Sequence, residues 1–219
     1  MTYTEQFFAD LDGENRQAAL LVAQVGAAPN ELQLITQVAE YDDNADGLRP
    51  IRTYIIRVLG VLEHRIVNFG TTVNNVRLER DHPLLYQYVQ KPTALFFRGE
   101  VANADSLTVD ILQAHASTFR GWRDFPEYMN TGQPLSSLFE SGGGLLGQMP
   151  EALADNLIKV LTHHGLEHKI TQDKPYVKVH DNPALLQTPL QVLIFGASYF
   201  VAYGFSIEEM KGRKPKPEA

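Results

Sequence analysis

Apolar residues recur along the chain at two spacings, one typical of helices and one typical of strands. Helical spacing and capping residues predict helices at 3–11, 106–119 and 150–165, with a last helical turn at 205–210. Alternating or β-branched runs predict strands at 32–38, 51–59, 62–69, 73–80, 93–98, 169–172, 176–180 and 190–203. Residues 15–25 form a dense apolar run that suits a buried helix and a buried strand equally well.

The segment 51–69 is the main ambiguity in this pattern. Apolar residues at every third or fourth position also fit a helical stripe. The segment lacks alanine, however, and it crowds β-branched and aromatic side chains, which fit a pleated strand better than a helix. Because Gly60 interrupts the run, we expect two strands.

Glycine and proline mark several predicted boundaries. Asp105 is predicted to cap the central helix, and Pro150 and Gly165 are expected to bound the helix that follows. Gly196 predicts a bulge in the last long strand. The glycine-rich segment 141–147 is expected to be a mobile or tightly turning loop.

These elements predict an α+β fold. We expect a largely antiparallel sheet with helices packed on one face, because the helical and strand segments do not alternate as β-α-β units. Residues 1–210 are expected to form a single domain, since no proline- or serine-rich linker divides them, and 131–149 is the one plausible seam. The basic, proline-containing tail 211–219 is expected to be disordered.

Two segments repeat an order of short motifs. Residues 62–66 (LEHRI) resemble residues 166–170 (LEHKI), and each segment is followed by a Val-basic-aliphatic triplet, a turn containing proline, a Leu pair and an apolar strand that ends in glycine. Duplication would predict a pseudo-symmetric sheet. Strand-turn-strand units also share such motifs by chance, and aligning these two needs gaps.

Composition and charge indicate a globular chain. Of 219 residues, 44% are apolar and 21% are charged, which is far from the composition of disordered proteins. The formal net charge of -7 disfavours non-specific binding to nucleic acid or anionic lipid, because both need clustered Lys and Arg. We therefore expect neither nucleic acid nor membrane as a partner.

Some classes of chemistry are excluded or disfavoured. The chain has no cysteine, so it has no disulfide, thiolate metal site or cysteine nucleophile. The N-terminal residues lack a basic segment followed by a continuous apolar run, so no signal peptide is predicted. No stretch approaches the roughly 20 apolar residues of a membrane-spanning helix. We expect a cytoplasmic protein.

The segment 142–147 matches the dinucleotide-binding pattern G-x-G-x-x-G, which makes Gly142, Gly143 and Gly144 candidate ligand-binding residues. That chemistry needs the glycines between a strand and the first turn of a helix, where free backbone N–H groups meet a pyrophosphate. Here three residues separate the last glycine from the predicted helix, and the preceding residues form a weak strand at best. A conformational role is favoured, and no cofactor is predicted.

His115 is the candidate catalytic residue. It shares an apolar helical stripe with Ile111, Leu112 and Phe119. A histidine in a cleft of low dielectric could act as a general base. The other interpretation is a core histidine that is satisfied by one hydrogen-bond partner.

Arg120, Trp122 and Arg123 combine guanidinium and aromatic groups beside this helix. They could hold an anionic or planar ligand by bidentate hydrogen bonds and stacking. Alternatively, the aromatic residues cover the end of the sheet while the arginines pair with Asp124 and Glu127.

The cluster of His163, His164 and His168 suggests a metal site at first sight. Ligands four residues apart share a face only within a continuous helix, and Gly165 is expected to end this one. Histidines also suit the C-terminal end of a helix, where positive charge interacts favourably with the helix dipole. No metal is predicted, and His82 is expected in a solvated surface or turn position.

No complete nucleophile-base pair, phosphate loop or metal framework emerges. The leading hypothesis is a soluble, non-catalytic accessory or regulatory protein that binds another protein or its own copy. The alternative is a hydrolase or isomerase with His115 as general base and Arg120 or Arg123 holding an anionic substrate. A deep pocket lined by His115, Arg123 and 141–147 would favour the enzyme, and a shallow apolar patch would favour the binding protein.

Overall fold

The computed structural model describes residues 1–42, 46–67, 69–174 and 187–211. Its α-helices are α1 (Tyr3–Leu11), α2 (Tyr86–Val89), α3 (Ala104–Phe119), α4 (Leu135–Glu140) and α5 (Glu151–His163). Its strands are β1 (Arg16–Val25), β2 (Glu31–Asp42), β3 (Gly47–Arg65), β4 (Thr72–Val73), β5 (Val76–Glu79), β6 (Pro92–Arg98), β7 (Gly143–Pro150), β8 (Glu167–Gln172), β9 (Gln191–Phe195) and β10 (Ser198–Glu209). Short 3-10 turns lie at Pro83–Leu85 and Phe125–Glu127.

The chain divides into two compact units, residues 1–80 with 179–219, and residues 81–178. Residues 131–149, the seam suggested by the sequence, lie inside the second unit. The single domain over 1–210 stays a prediction.

The α+β class is confirmed, because helices accompany two sheets whose strand pairs, among the described residues, are all antiparallel.

The first unit contains a seven-stranded sheet with the order β4-β1-β2-β3-β10-β9-β5. Helix α1 places Phe7 in the core of this sheet, where its ring lies 5.0 Å from that of Tyr54 in an edge-on arrangement. Arg52 and Tyr54 of β3 both donate hydrogen bonds to Oδ2 of Asp10, each at 2.5 Å. Apolar packing and these two hydrogen bonds therefore hold α1 on the sheet.

Two ambiguities in the strands of this sheet are now resolved. Residues 15–25 form a strand, because β1 finds a partner in β2. The prediction of two strands within 51–69 is wrong, since β3 continues through Gly60. Gly60 has a φ of 65°, and the opposing register shifts between Val201 and Ala202. The residue left unpaired by this shift is Leu62, so a bulge lies two residues after Gly60 within the continuous strand.

The end of the described chain is a β-hairpin. Phe195 pairs with Ser198 across a two-residue turn that begins at Gly196. Gly196 has a φ of 63°, at the turn position that a type II′ hairpin reserves for glycine. The predicted bulge at Gly196 and the predicted helical turn at 205–210 are both wrong, because the first is a turn and β10 continues to Glu209.

The second unit contains a three-stranded sheet with the order β7-β6-β8. Alternate residues of β6 are buried, among them Leu95 and Phe97, and α5 packs on that face through Leu153 and Leu157. Helix α3 packs on α5 and completes the same apolar core. This arrangement places helices on one face of the sheet, as expected.

The two similar motifs lie in different sheets. Residues 62–66 include the end of β3, which pairs with β10, whereas residues 166–170 lie mostly in β8, which pairs with β6. The predicted strand 176–180 and nearly all of the tail, from residue 212, fall outside the described residues. Within the described part of the chain, no helix is long and apolar enough to cross a membrane.

Candidate functional site

Helix α3 carries or borders most of the candidate residues. Its N-cap is Asn103, whose side chain accepts a hydrogen bond from the backbone N–H of Ser106 at 3.0 Å. The predicted cap, Asp105, lies instead in the first turn, where a carboxylate stabilises the positive end of the helix dipole. The helix ends at Arg120, which has a left-handed φ of 52° and donates its backbone N–H to Ala116.

His115 is buried, with 6% of its surface exposed, so the expectation that this histidine is sheltered from solvent is confirmed. Its ring centroid lies 4.9 Å from that of Phe119 on α3 and 5.4 Å from that of Phe125 in the segment that follows. Burial lowers the pKa of His115, while Glu127, Asp124 and a hydrogen bond with the Asp124 backbone oppose that shift. Nε2 is buried without a partner, so the ring is chemically able to accept a proton if a substrate reaches it.

The two arginines near Trp122 have different environments. Arg120 is exposed at the end of α3, whereas the side chain of Arg123 is only 5% exposed. Arg123 donates Nη2 to the carbonyl of Leu84 at 3.3 Å and Nη1 to Glu127 at 3.5 Å. The predicted pairing with Glu127 is confirmed for Arg123. These internal acceptors favour the covering role, and a shared ligand site for the two arginines stays a prediction.

His82, expected in a solvated surface or turn position, lies at the N-cap of the 3-10 turn Pro83–Leu85. It is buried, not solvated, and its Nδ1 accepts a hydrogen bond from the backbone N–H of Leu84 at 3.2 Å. Since Nδ1 is an acceptor, the neutral ring carries its proton on Nε2. Trp122 lies edge-on to this ring at 5.1 Å between centroids. The signal that could have revealed His82 is its place directly before Pro83, where a side-chain acceptor caps a helical turn.

The glycine-rich segment is mainly strand β7, so the prediction of a loop is wrong. Gly142, Gly143 and Gly144 all have positive φ values, as expected for a conformational role. A Cβ atom on Gly143 would lie 2.5 Å from the carbonyl oxygen of Phe97 on the paired strand β6. The glycines therefore permit close approach of two strands. They do not lie at a turn from strand to helix, and a ligand-binding role for them stays a prediction.

An open groove of about 530 Å³ runs between α3 and α5. Its polar lining consists of Asp110, Gln113, Ser117, Asn156, Lys159 and His163. Asp110 contacts His164 at 2.7 Å, and Asn156 donates a hydrogen bond to Thr118 at 2.9 Å, which shows that the two helices are antiparallel. No three His, Asp or Glu side chains in the described ranges cluster as metal ligands would.

The outer face of α3 carries an exposed apolar stripe, formed by Val109, Leu112 and Ala116 and called here the α3 stripe. Val109 is 49% exposed and Leu112 is 43% exposed. Asp105, Val109, Leu112 and Ala116 share one face of the helix because they are three or four positions apart, and the exposed C-cap residue Arg120 follows four positions after Ala116. The expectation that Leu112 lies on one stripe with the core residues Ile111 and Phe119 is wrong.

Comparison with known proteins found no family model, curated protein or solved structure that matches the chain.

Proposed function

We propose that the protein is a non-catalytic binding module that recognises a protein partner, either another protein or a second copy of this chain, through the outer face of α3. The observation that carries this proposal is the α3 stripe. Val109 and Leu112 stay close to half exposed on a helix whose opposite face is buried in the core. Contiguous exposed aliphatic side chains are typical of interaction surfaces. Anchors spaced by three or four residues are those through which one helix recognises another.

The neighbouring groove supports the same proposal. Gln113, Lys159 and Asp110 present hydrogen-bond donors, acceptors and both signs of charge beside the apolar stripe. Protein interfaces commonly combine an apolar centre with a polar rim. The α3 stripe supplies the first part and the groove supplies the second.

The alternative, an enzyme with His115 as general base, has less support. A small cavity of about 90 Å³ borders Tyr128 and three glutamine side chains. Neither this cavity nor the groove between α3 and α5 is lined by His115. A general base must reach its substrate within hydrogen-bond distance or through one water. Arg123 is also engaged by Leu84 and Glu127 within the protein.

A paired capture experiment tests the proposed function. The full chain is immobilised as wild type, as Leu112→Asp and as Val89→Asp, a matched control because Val89 is 53% exposed on α2 and lies off the stripe. Circular dichroism verifies that each variant is folded. We expect a partner that wild type and Val89→Asp retain and that Leu112→Asp loses, and the purified partner should reproduce this order in titration calorimetry. Equal binding by all three proteins, or a partner lost with Val89→Asp as well, would contradict the proposal.

A further inference from the structure

The α3 stripe has opposite charges at its two ends. Asp105 lies in the first turn of α3 and Arg120 lies at its C-cap, and both residues are exposed. Leu112 lies at the middle of the stripe, with Val109 towards one end and Ala116 towards the other. A second copy of the stripe in the antiparallel orientation therefore presents opposite charges at both ends.

An antiparallel second copy of α3 satisfies every position of this pattern at once. Asp105 of each copy faces Arg120 of the other, and Val109 of each faces the small side chain of Ala116 of the other. The two Leu112 side chains meet near the symmetry axis. A twofold arrangement makes the Asp105–Arg120 and Val109–Ala116 contacts twice and the contact between the two Leu112 side chains once. The pairing of a larger with a smaller side chain allows two helices to approach to about 8–10 Å between axes.

A parallel arrangement of the two α3 helices is disfavoured by the same charges. Two parallel copies of α3 would place Asp105 against Asp105 and Arg120 against Arg120, and like charges in contact are destabilising. Parallel helices would also align their dipoles, whereas antiparallel helices bring the positive end of one beside the negative end of the other.

We infer that the partner recognised by the α3 stripe is a second copy of this chain, bound by antiparallel packing of α3 on α3 about a twofold axis near Leu112. This inference rests on the proposed function, because it names the occupant of the same surface. Three apolar residues and two charged ones form a small contact compared with permanent interfaces. The dimer is therefore weak and forms in a concentration-dependent way.

Charge reversal with analytical ultracentrifugation of the full chain tests the inference. The proteins are wild type, Asp105→Arg, Arg120→Asp and the double reversal, each measured over a series of concentrations. We expect each single reversal to weaken the dimer by about tenfold, since it replaces two attractive contacts with two repulsive ones, and the double reversal to restore most of the affinity. Aspartate at position 120 is suitable, because it tolerates the left-handed conformation there.

A matched control separates local pairing from net charge. Asp155 is exposed on α5 and lies off the stripe, so Asp155→Arg makes the same change in net charge and should leave the dimer intact. Circular dichroism establishes that all variants are folded.

The outcomes distinguish this inference from the proposed function. A chain that is monomeric at every concentration, while Leu112→Asp still abolishes binding of another protein, overturns the inference and leaves the proposed function standing. A dimer unaffected by the single reversals, or weakened equally by Asp155→Arg, overturns the antiparallel arrangement. If the chain is monomeric and Leu112→Asp changes no interaction, both are overturned.

Discussion

Asp110 on α3 and His164 at the end of α5 meet in a contact of 2.7 Å between Oδ2 and Nε2. They join one end of the helix pair, and Asn156 and Thr118 join the other. The side chains of Asp110 and His164 keep 34% and 15% of their surface exposed. Water therefore weakens the contact, and its energy should be that of a partly buried hydrogen bond.

Removing either partner of this contact should loosen the helix pair modestly. We expect Asp110→Asn or His164→Gln to lower the free energy of unfolding by about 0.5–1.5 kcal/mol, measured by urea denaturation. The double variant should lose little more than either single variant, because one interaction is removed only once. His163→Gln is the matched control on the adjacent exposed position and should cost less. Fully additive losses would show that Asp110 and His164 do not interact.

The hydroxyl of Tyr54 should contribute clearly to stability. Tyr54→Phe keeps the ring packed on Phe7 and removes the hydrogen bond to Asp10, which leaves a partly buried carboxylate with one donor fewer. We expect a loss of about 1–3 kcal/mol in the free energy of unfolding. Tyr41→Phe is the control, because it removes a hydrogen bond of the same length, to Asp46, at an exposed site. An equal loss in both variants would contradict the role of burial.

Tyr54 should also give the protein a specific sensitivity to alkaline pH. Burial, and then the hydrogen bond to Asp10, raises the pKa of Tyr54 to about 12. The folded pKa exceeds the unfolded value of about 10, so this contribution to stability is complete below pH 10 and is lost as pH rises from 10 towards 12. Urea denaturation across this window should show a steeper decline in wild type than in Tyr54→Phe. Parallel declines would contradict the prediction.

His115 should have the opposite effect at acidic pH. Because burial lowers its folded pKa below the ordinary value of about 6.5, the unfolded state takes up the proton first as pH falls. The contribution of His115 is complete above about pH 6.5 and decreases below it. Between pH 7 and 5, His115→Phe should therefore lose stability less steeply than wild type. Identical slopes in wild type and His115→Phe would show that the ring is freely protonated in the folded state.

The elements that could be predicted from the sequence are those whose signals are local. Helices α1, α3 and α5 were predictable because their apolar spacing and terminal residues lie within each segment. Gly60 and Gly196 show that a local signal does not determine every element. Both glycines have positive φ inside an apolar run, yet one lies within a continuous strand and the other forms a turn. For Gly60 the pairing of β3 with β10 maintains the strand, and β10 is distant in the chain, so local sequence does not reveal this outcome.

In the candidate site, too, some features follow from local sequence and others depend on how the helix packs. The burial of His115 followed from its helical face, and the pairing of Arg123 with Glu127 followed from their proximity in the chain. The exposure of Leu112 did not follow from the sequence, because it adjoins the buried Ile111 and only the packing of α3 separates the two. The surface on which the functional proposal rests was therefore visible only in the fold.

Two glycines with the same sign of φ should respond differently to alanine. Gly143 and Gly70 have φ values of 149° and 75°. A Cβ atom on Gly143 would meet the Phe97 carbonyl oxygen at 2.5 Å, whereas nothing lies within 4 Å of one on Gly70. We expect Gly70→Ala to cost about 1 kcal/mol from backbone strain alone. Gly143→Ala should cost roughly 3 kcal/mol or more, because the clash with paired backbone is added to strain. Equal losses in urea denaturation would contradict the close-approach role of Gly143.

Nucleotides should not change the melting temperature of the protein through these glycines. A nucleotide that bound the folded state would raise the melting temperature in proportion to its excess over the dissociation constant. Because Gly143 and Gly144 lie in a strand that pairs with β6, they are not at the start of a helix, where free backbone N–H groups converge on a phosphate. We expect no melting shift with excess NAD or ATP. Gly142→Ala is the informative variant for this test, since a Cβ atom there would meet its nearest neighbour at an ordinary 3.5 Å and only backbone strain is added. A shift in wild type that disappears in Gly142→Ala but persists in Gly70→Ala would establish a nucleotide site at these glycines.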